Sequence, residues 1–203
     1  MPTTPHSGLT GSDLHEPKGV AAAAASLAYI SNGSGSGTWQ TIALASLAST
    51  AKAFQAQLLH VQDQKSSGTA GGTFTSGDWR TRTLNTSITN EISGASLASN
   101  QVTLPAGTYY LEASAPAYQV NLHQLRVRNV TDSATLLTGT IVRSASADNS
   151  VLSSGVYGRF TLSGTKAIEL QHQCSLSGAS DGFGQAGSFG TEVYSDLRVW
   201  KIA

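Results

Sequence analysis

The sequence predicts an all-β protein: an antiparallel jelly-roll sandwich head, preceded by a short helical neck and an extended N-terminal arm. Three observations predict it. From Leu58 onward, short apolar runs alternate with a period of two and are divided by Gly, Ser and Asn, which suits half-buried strands. The runs continue to Val199-Trp-Lys-Ile202 with turns at regular spacing, as sandwiches and jelly rolls require. Before Leu58 the chain is rich in Ala, Gly and Ser, and holds too few large apolar side chains to build a core. The expected boundaries are residues 1–43 for the arm, 44–57 for the neck and 58–203 for the head.

Taken in order, residues 1–19 contain three prolines and only Leu9 and Leu14 as large aliphatic side chains. Such a stretch takes a fixed shape only against a partner. Pro17 and Gly19 restrict its path, while His15, Glu16 and Lys18 offer polar contacts along a groove. Residues 20–28 favour a helix by propensity alone. Tyr29-Ile-Ser31 and Thr38-Trp-Gln-Thr-Ile42 flank a Gly/Ser run, which reads as a hairpin or, equally, as a flexible linker. Leu44, Leu47, Ala51, Phe54 and Leu58 recur at spacings of 3, 4, 3 and 4, a heptad seam. That seam is either a multichain neck or one amphipathic helix packed on its own domain, because isolated helices shorter than ~12–15 residues are marginal in water.

Strands are expected over residues 59–61, 79–84, 87–92, 102–104 and 108–114, then 120–130, 136–142, 151–162 and 167–175. Pro105-Ala-Gly107 is a turn, and Tyr109, Leu111 and Ala113 share one face of the strand after it. In the last strand Val193, Leu197 and Val199 are expected on one face and Tyr194, Trp200 and Ile202 on the other. Apolar residues on both faces mark a central strand, or one covered by a second subunit.

At 203 residues the chain holds one ordinary domain plus an arm. Charged residues make up 12%, and 12 basic and 12 acidic side chains cancel, which argues against a nucleic-acid binder. A surface made polar by Ser, Thr, Asn and Gly suits packing against copies of itself. Cys174 is alone, so no intrachain disulfide framework exists. The start of the chain lacks a basic segment, and the apolar run 20–30 is eleven residues against the ~20 of a membrane span. Neither a signal peptide nor membrane insertion is expected.

The motifs with chemical content are weak. Gly178-Ala-Ser-Asp-Gly182 matches the nucleophile elbow, but a Gly-rich loop follows where that motif needs a helix. His6, His15, His60, His123 and His172 share no short ligand spacing, and no metal or cofactor is expected. His172, in phase with Ile168, Leu170 and Cys174, and His60, between Leu59 and Val61, are the two that self-assembly would bring together around an axis. Glu112, Glu169, Asp181, Glu192 and Asp196 are candidate carboxylates for a glycan-processing tip, but spacing does not pair them. Phe183 and Phe189 in loop 177–190 either contact a ligand or close the sandwich.

Two stretches resemble tailed-bacteriophage virion proteins. One is Leu9-Thr-Gly-Ser-Asp-Leu-His-Glu-Pro-Lys-Gly19 followed by Tyr29-Ile-Ser-Asn-Gly-Ser-Gly-Ser-Gly-Thr-Trp39. The other is the head, carried by Gly72-Thr-Phe-Thr-Ser-Gly-Asp-Trp-Arg-Thr-Arg-Thr-Leu-Asn85, Leu104-Pro-Ala-Gly-Thr-Tyr-Tyr110 and Leu197-Arg-Val-Trp-Lys-Ile202. It is similar to the C-terminal jelly roll of phage fibres and, in general architecture, to the trimeric C1q and tumour-necrosis-factor heads. The resemblance implies a non-enzymatic homotrimeric fibre or spike of a virion assembled in the host bacterial cytoplasm. Its arm would be anchored to a capsid or tail protein through Leu14, His15, Glu16, Pro17, Lys18, Gly19 and Trp39. Its neck would be trimeric, and its head would face a host cell-surface glycan. The alternatives are a free C1q-like carbohydrate-binding module and a glycan-processing enzyme.

Overall fold

A computed structural model describes residues 27–31, 34, 37–41 and 57–202. The chain divides into two compact units, Met1–Lys52 and Ala53–Ala203. In the first, β1 (Ala28–Ser31) and β2 (Gly37–Gln40) pair antiparallel with Tyr29 opposite Trp39, their ring centroids 5.3 Å apart. Of the hairpin and linker readings, the hairpin holds. Ala28, the end of the stretch favouring a helix, opens β1.

The second unit is two antiparallel sheets, and the described residues contain no helix. One sheet runs β11-β8-β13-β3-β5, made of Val151–Leu162, Gly107–Tyr118, Glu192–Lys201, Gln57–Lys65 and Thr86–Asn90. The other runs β10-β9-β12-β7-β6, made of Ala134–Ser144, Asn121–Asn129, Lys166–Cys174, Gln101–Leu104 and Ser96–Ala98. The two-residue β4 (Arg80–Thr81) lies against β12 beside Gln171 and His172, beyond the stretch of β12 that β7 covers. From β8 onward the chain changes sheet at every connection except β9 to β10, and the first strand of the unit pairs with the last. This is the strand order of a jelly roll.

Alternation decides which side chains meet inside. Leu59, Val61, Leu111, Leu197 and Val199 come from one sheet and Val102, Leu125, Val127, Ile168 and Leu170 from the other, all fully buried. At one side the sandwich is closed by backbone approach. A Cβ on Gly139 of β10 would lie 2.5 Å from the Gly155 carbonyl oxygen of β11. Buried Ser154 stitches the same seam, donating to the Thr140 carbonyl (2.8 Å) and accepting from the Leu125 amide (3.0 Å).

Several expectations need correction. The strand expected over 79–84 shrinks to Arg80–Thr81, and the short β6 was not anticipated. A bulge between Val193 and Ser195 shifts the phase of β13, so Tyr194 is buried while Val193 is exposed, the reverse of strict alternation. β13 is central, between β8 and β3, the first of the two placements its apolar faces allowed. Leu44, Leu47, Ala51 and Phe54 of the heptad seam lie outside the described residues. Leu58, its last position, is the second residue of β3 and extended.

Candidate functional site

The outer face of the β11-β8-β13-β3-β5 sheet concentrates the exposed chemistry. With Leu111, Val199 and their neighbours pointing inward, register places Arg159, Tyr110, Trp200 and Leu58 in one cross-strand row. The next row is Tyr157, Glu112, Arg198, His60 and Thr89, and the third is Gly155, Ser114, Asp196, Gln62 and Thr86. Tyr157 is 64% exposed and Tyr110 37%. Tyr110 and Trp200 hold their ring centroids 6.2 Å apart, within the range of aromatic pairs. Asp196 is the hub of the charges. Its Oδ2 lies 3.0 Å from His60 Nε2 and accepts from Gln62, and its Oδ1 is 3.2 Å from Arg198 Nε.

Glu112 and Asp196 border one shallow depression of about 230 Å³ with Ser114, Gly155, Tyr157 and Arg198. Asp196 also borders a second depression, of about 350 Å³, with Glu192, so the fold brings two pairs of the five candidate carboxylates together. Both oxygens of Asp196 are already engaged. Glu169 lies on the opposite sheet, and Asp181 sits in the 177–190 loop. Glu192 accepts from the Gly68, Gly187 and Ser188 amides, and these bonds hold its carboxyl below the ordinary carboxylate range. Ser180 lies in an exposed loop with no helix after it, and no described histidine bonds its hydroxyl. The described residues contain no group of three or more His, Cys, Asp or Glu able to hold a metal ion.

Of the two rings of loop 177–190, Phe183 takes the closing role and Phe189 stays in solvent. Phe183 turns inward, stacks on Phe74 at 4.4 Å and lies under the Arg82 guanidinium at 4.2 Å. Phe189 is fully exposed, on a loop tied down by Glu192. His172 is inside the sandwich, bonded to His123, so it cannot line an axis between subunits. His60 is on the outer face. Leu14, His15, Glu16, Pro17, Lys18 and Gly19 lie outside the described residues, and Trp39 is in β2.

Sequence reading missed the grouping of Tyr110, Tyr157, Glu112 and Arg198. Alternation in β8 already turned Tyr110 and Glu112 outward. Their neighbours come from strands far away in sequence, which no local pattern specifies.

No family model matches the chain, and no curated protein does. Among solved structures, it is similar to murine APRIL, crystallised at pH 8.0, with 14% identity and a TM-score of 0.48, over 72% of this chain and 99% of that one. It is also similar to the globular domain of zebrafish complement 1qA, with 12% identity and a TM-score of 0.48, over 73% and 98%. The likeness is one of fold. The jelly-roll assignment itself rests on the strand order described above.

Proposed function

We propose that the chain is a non-enzymatic attachment protein whose heads assemble as a homotrimer. The observation that carries the reading is the outer face of β11-β8-β13-β3. A flat antiparallel face normally turns polar residues to water, whereas this one presents a row of Tyr110, Trp200 and Leu58 with Tyr157 beside it. Next to those rings lie Glu112 and Asp196 with Arg159 and Arg198, opposite charges in equal number on one surface. Aromatic residues and arginine are what interface centres favour, and mixed charge lets a face meet a copy of itself.

The virion setting is supported by the sequence resemblance of residues 9–39 and of the head to phage proteins. On that reading residues 1–43 dock on a capsid or tail protein, and residues 44–57 form a trimeric neck. The head contacts a host-surface glycan, each weak contact multiplied by three.

The test is the solution mass of the full chain beside a Tyr157→Asp, Trp200→Arg variant. The expected result is three chains for the first and one for the second, with unchanged circular dichroism. A monomeric full chain overturns the reading. A trimeric double variant removes this face from the interface.

A further inference from the structure

The opposite surface, the outer face of β10-β9-β12-β7, carries an arginine arranged differently from the others. On β9 the outward residues are Leu122, Gln124, Arg126 and Arg128, since His123, Leu125, Val127 and Asn129 are buried. Register sets Arg128 beside Glu169, Arg126 beside Gln171, and Gln124 beside Gln173 on β12. A chain of hydrogen bonds crosses these strands. Gln101 (2.9 Å), Thr81 (2.8 Å) and Gln171 (2.7 Å) all donate to the Glu169 carboxylate, and Arg126 Nε donates to Gln171 Oε1 (2.9 Å). The guanidinium plane of Arg126 lies 4.2 Å over the Trp79 ring.

The Arg126 head group is therefore fixed by one edge and one face. Its Nη1 and Nη2 donors bond nothing among the described residues. Arg82 shows what a purely structural arginine does in this fold: Nε and both Nη groups are spent on Ser195 and on the carbonyls of Pro116, Phe183 and Tyr194. Arg80 likewise uses its head group on the Thr75 and Ser76 carbonyls. An ordered arginine with an open fork has already lost the rotamer freedom that binding would otherwise cost. The neighbouring charges are Arg128 on the same strand face, Asp78 on the loop beside Trp79, and Glu169, whose Oε1 accepts from Gln101 and whose Oε2 accepts from Thr81 and Gln171.

One residue pair along the same face, about 7 Å away at strand spacing, lies a shallow depression of about 240 Å³. Gln124 and Gln173 line it with side-chain amides, Leu122 and Ile141 flank it with apolar groups, and the Ser175 hydroxyl at its edge is held between the Leu122 amide and the Val120 carbonyl. We propose that Arg126 and this depression form a binding site for a carboxylate-bearing saccharide. The acid would sit bidentate on the open Nη fork, with the sugar ring in the depression. The Gln173 amide and the Gln124 side-chain oxygen match ring hydroxyls, Leu122 and Ile141 match the C–H face, and a carboxylate is the ligand whose geometry fits a guanidinium fork.

The site deepens the attachment reading by naming its ligand class, but it stands or falls separately. The experiment is titration of the full chain with methyl glycosides of galacturonic, glucuronic and N-acetylneuraminic acid, followed by amide chemical shifts, with methyl glucoside as the neutral control. At least one acid should bind, moving resonances of residues 122–128 and 171–175, and should do so at least about tenfold more tightly than the neutral sugar. Arg126→Gln should remove that preference. Arg126→Lys should not restore it, because an ammonium has no fork. Lys166→Gln, at the far end of β12 in a salt bridge with Asp132, should bind like the parent. No shifts with any acid at about 10 mM, equal binding of acid and neutral sugar, or full binding by Arg126→Gln would each overturn the site. A trimer that fails to bind removes the site and leaves the spike. A monomer that binds does the reverse.

Discussion

The buried histidine pair shows how one proton position follows from its neighbours. Ser144 Oγ donates its single hydrogen to the Ala117 carbonyl (2.8 Å) and accepts from the Leu152 amide (3.2 Å). Its 3.0 Å contact with His123 Nε2 must therefore be a second accepted bond, so His123 carries its proton on Nε2 and presents Nδ1 as an acceptor. His172 Nε2 then donates to it at 2.9 Å, and His172 Nδ1 is left as an unprotonated lone pair in the interior without a partner. Burial first, and the Arg82 guanidinium second, hold both rings below the ordinary histidine value. His123 is lowered to about 4 and His172 well below its usual value, His123 adding to the second. The unfolded chain takes up these protons near pH 6.5, and the native head does not until far lower. Stability is therefore whole above about pH 6.5 and declines as pH falls toward 4, by ~1.4–2.7 kcal/mol per pH unit for one to two protons. Glu169 and Glu192, held below the usual carboxylate range, act only at lower pH. Urea midpoints at pH 7.5, 6 and 5 should show the decline in the parent. A His123→Leu, His172→Leu variant should be flat over the same window whatever its absolute stability. An equal slope in both would refute the assignment.

At the scale of elements, the seam between β10 and β11 decides how the sandwich closes. Gly139 leaves no room for a side chain there, since a Cβ would meet the Gly155 and Leu125 carbonyl oxygens at 2.5 and 3.0 Å. Both are backbone atoms, so the strands themselves must part. Gly139→Ala is expected to cost about 1–3 kcal/mol, the range for overpacking. Gly164→Ala, at a position with nothing within 4 Å, should cost far less. The comparison is read from urea midpoints at constant m-value, and equal midpoints would mean that the seam relaxes freely. The bulge in β13 is a second device at this scale. It turns Tyr194 inward, where its hydroxyl donates to the Thr69 carbonyl at 2.8 Å and its backbone carbonyl accepts from Arg82. The 66–76 loop, loop 177–190 and the interior guanidinium are thereby joined through one residue pair.

For the whole molecule, the governing fact is that β3 and β13, the first and last strands of the head, are partners. Apart from the β9–β10 and β6–β7 hairpins, the pairings that build the sandwich are non-local, which places such folds in the millisecond-to-second range. The head should fold only once its final strand is present. A chain lacking residues 192–203 loses the centre of a sheet and should give neither strand circular dichroism nor a cooperative unfolding transition. A chain beginning at Ala53 keeps every element of the second unit and should retain both. If the 53–203 chain failed to fold, the head would not be an independent unit.

Alternation along the chain, read alone, determined the all-β class and most of the strands. It also determined the inward parity of Leu111, His172 and Leu197, and narrowed the last strand to a central one or one covered by a second subunit. These follow from the period-two geometry of a strand, which acts over a few residues. Tertiary structure alone decided which strands are neighbours, and so which outward residues meet. Tyr157, Glu112 and Arg198 form one row because β11, β8 and β13 are adjacent, though some 45 residues separate the first two. It also decided where the period fails, as at the Val193/Ser195 bulge, and which of Phe183 and Phe189 turns inward. Arg82 shows the limit of local reading. Its sequence neighbours are polar, and only the convergence of Ser195, Phe183 and Tyr194 from the far end of the chain makes its burial tolerable.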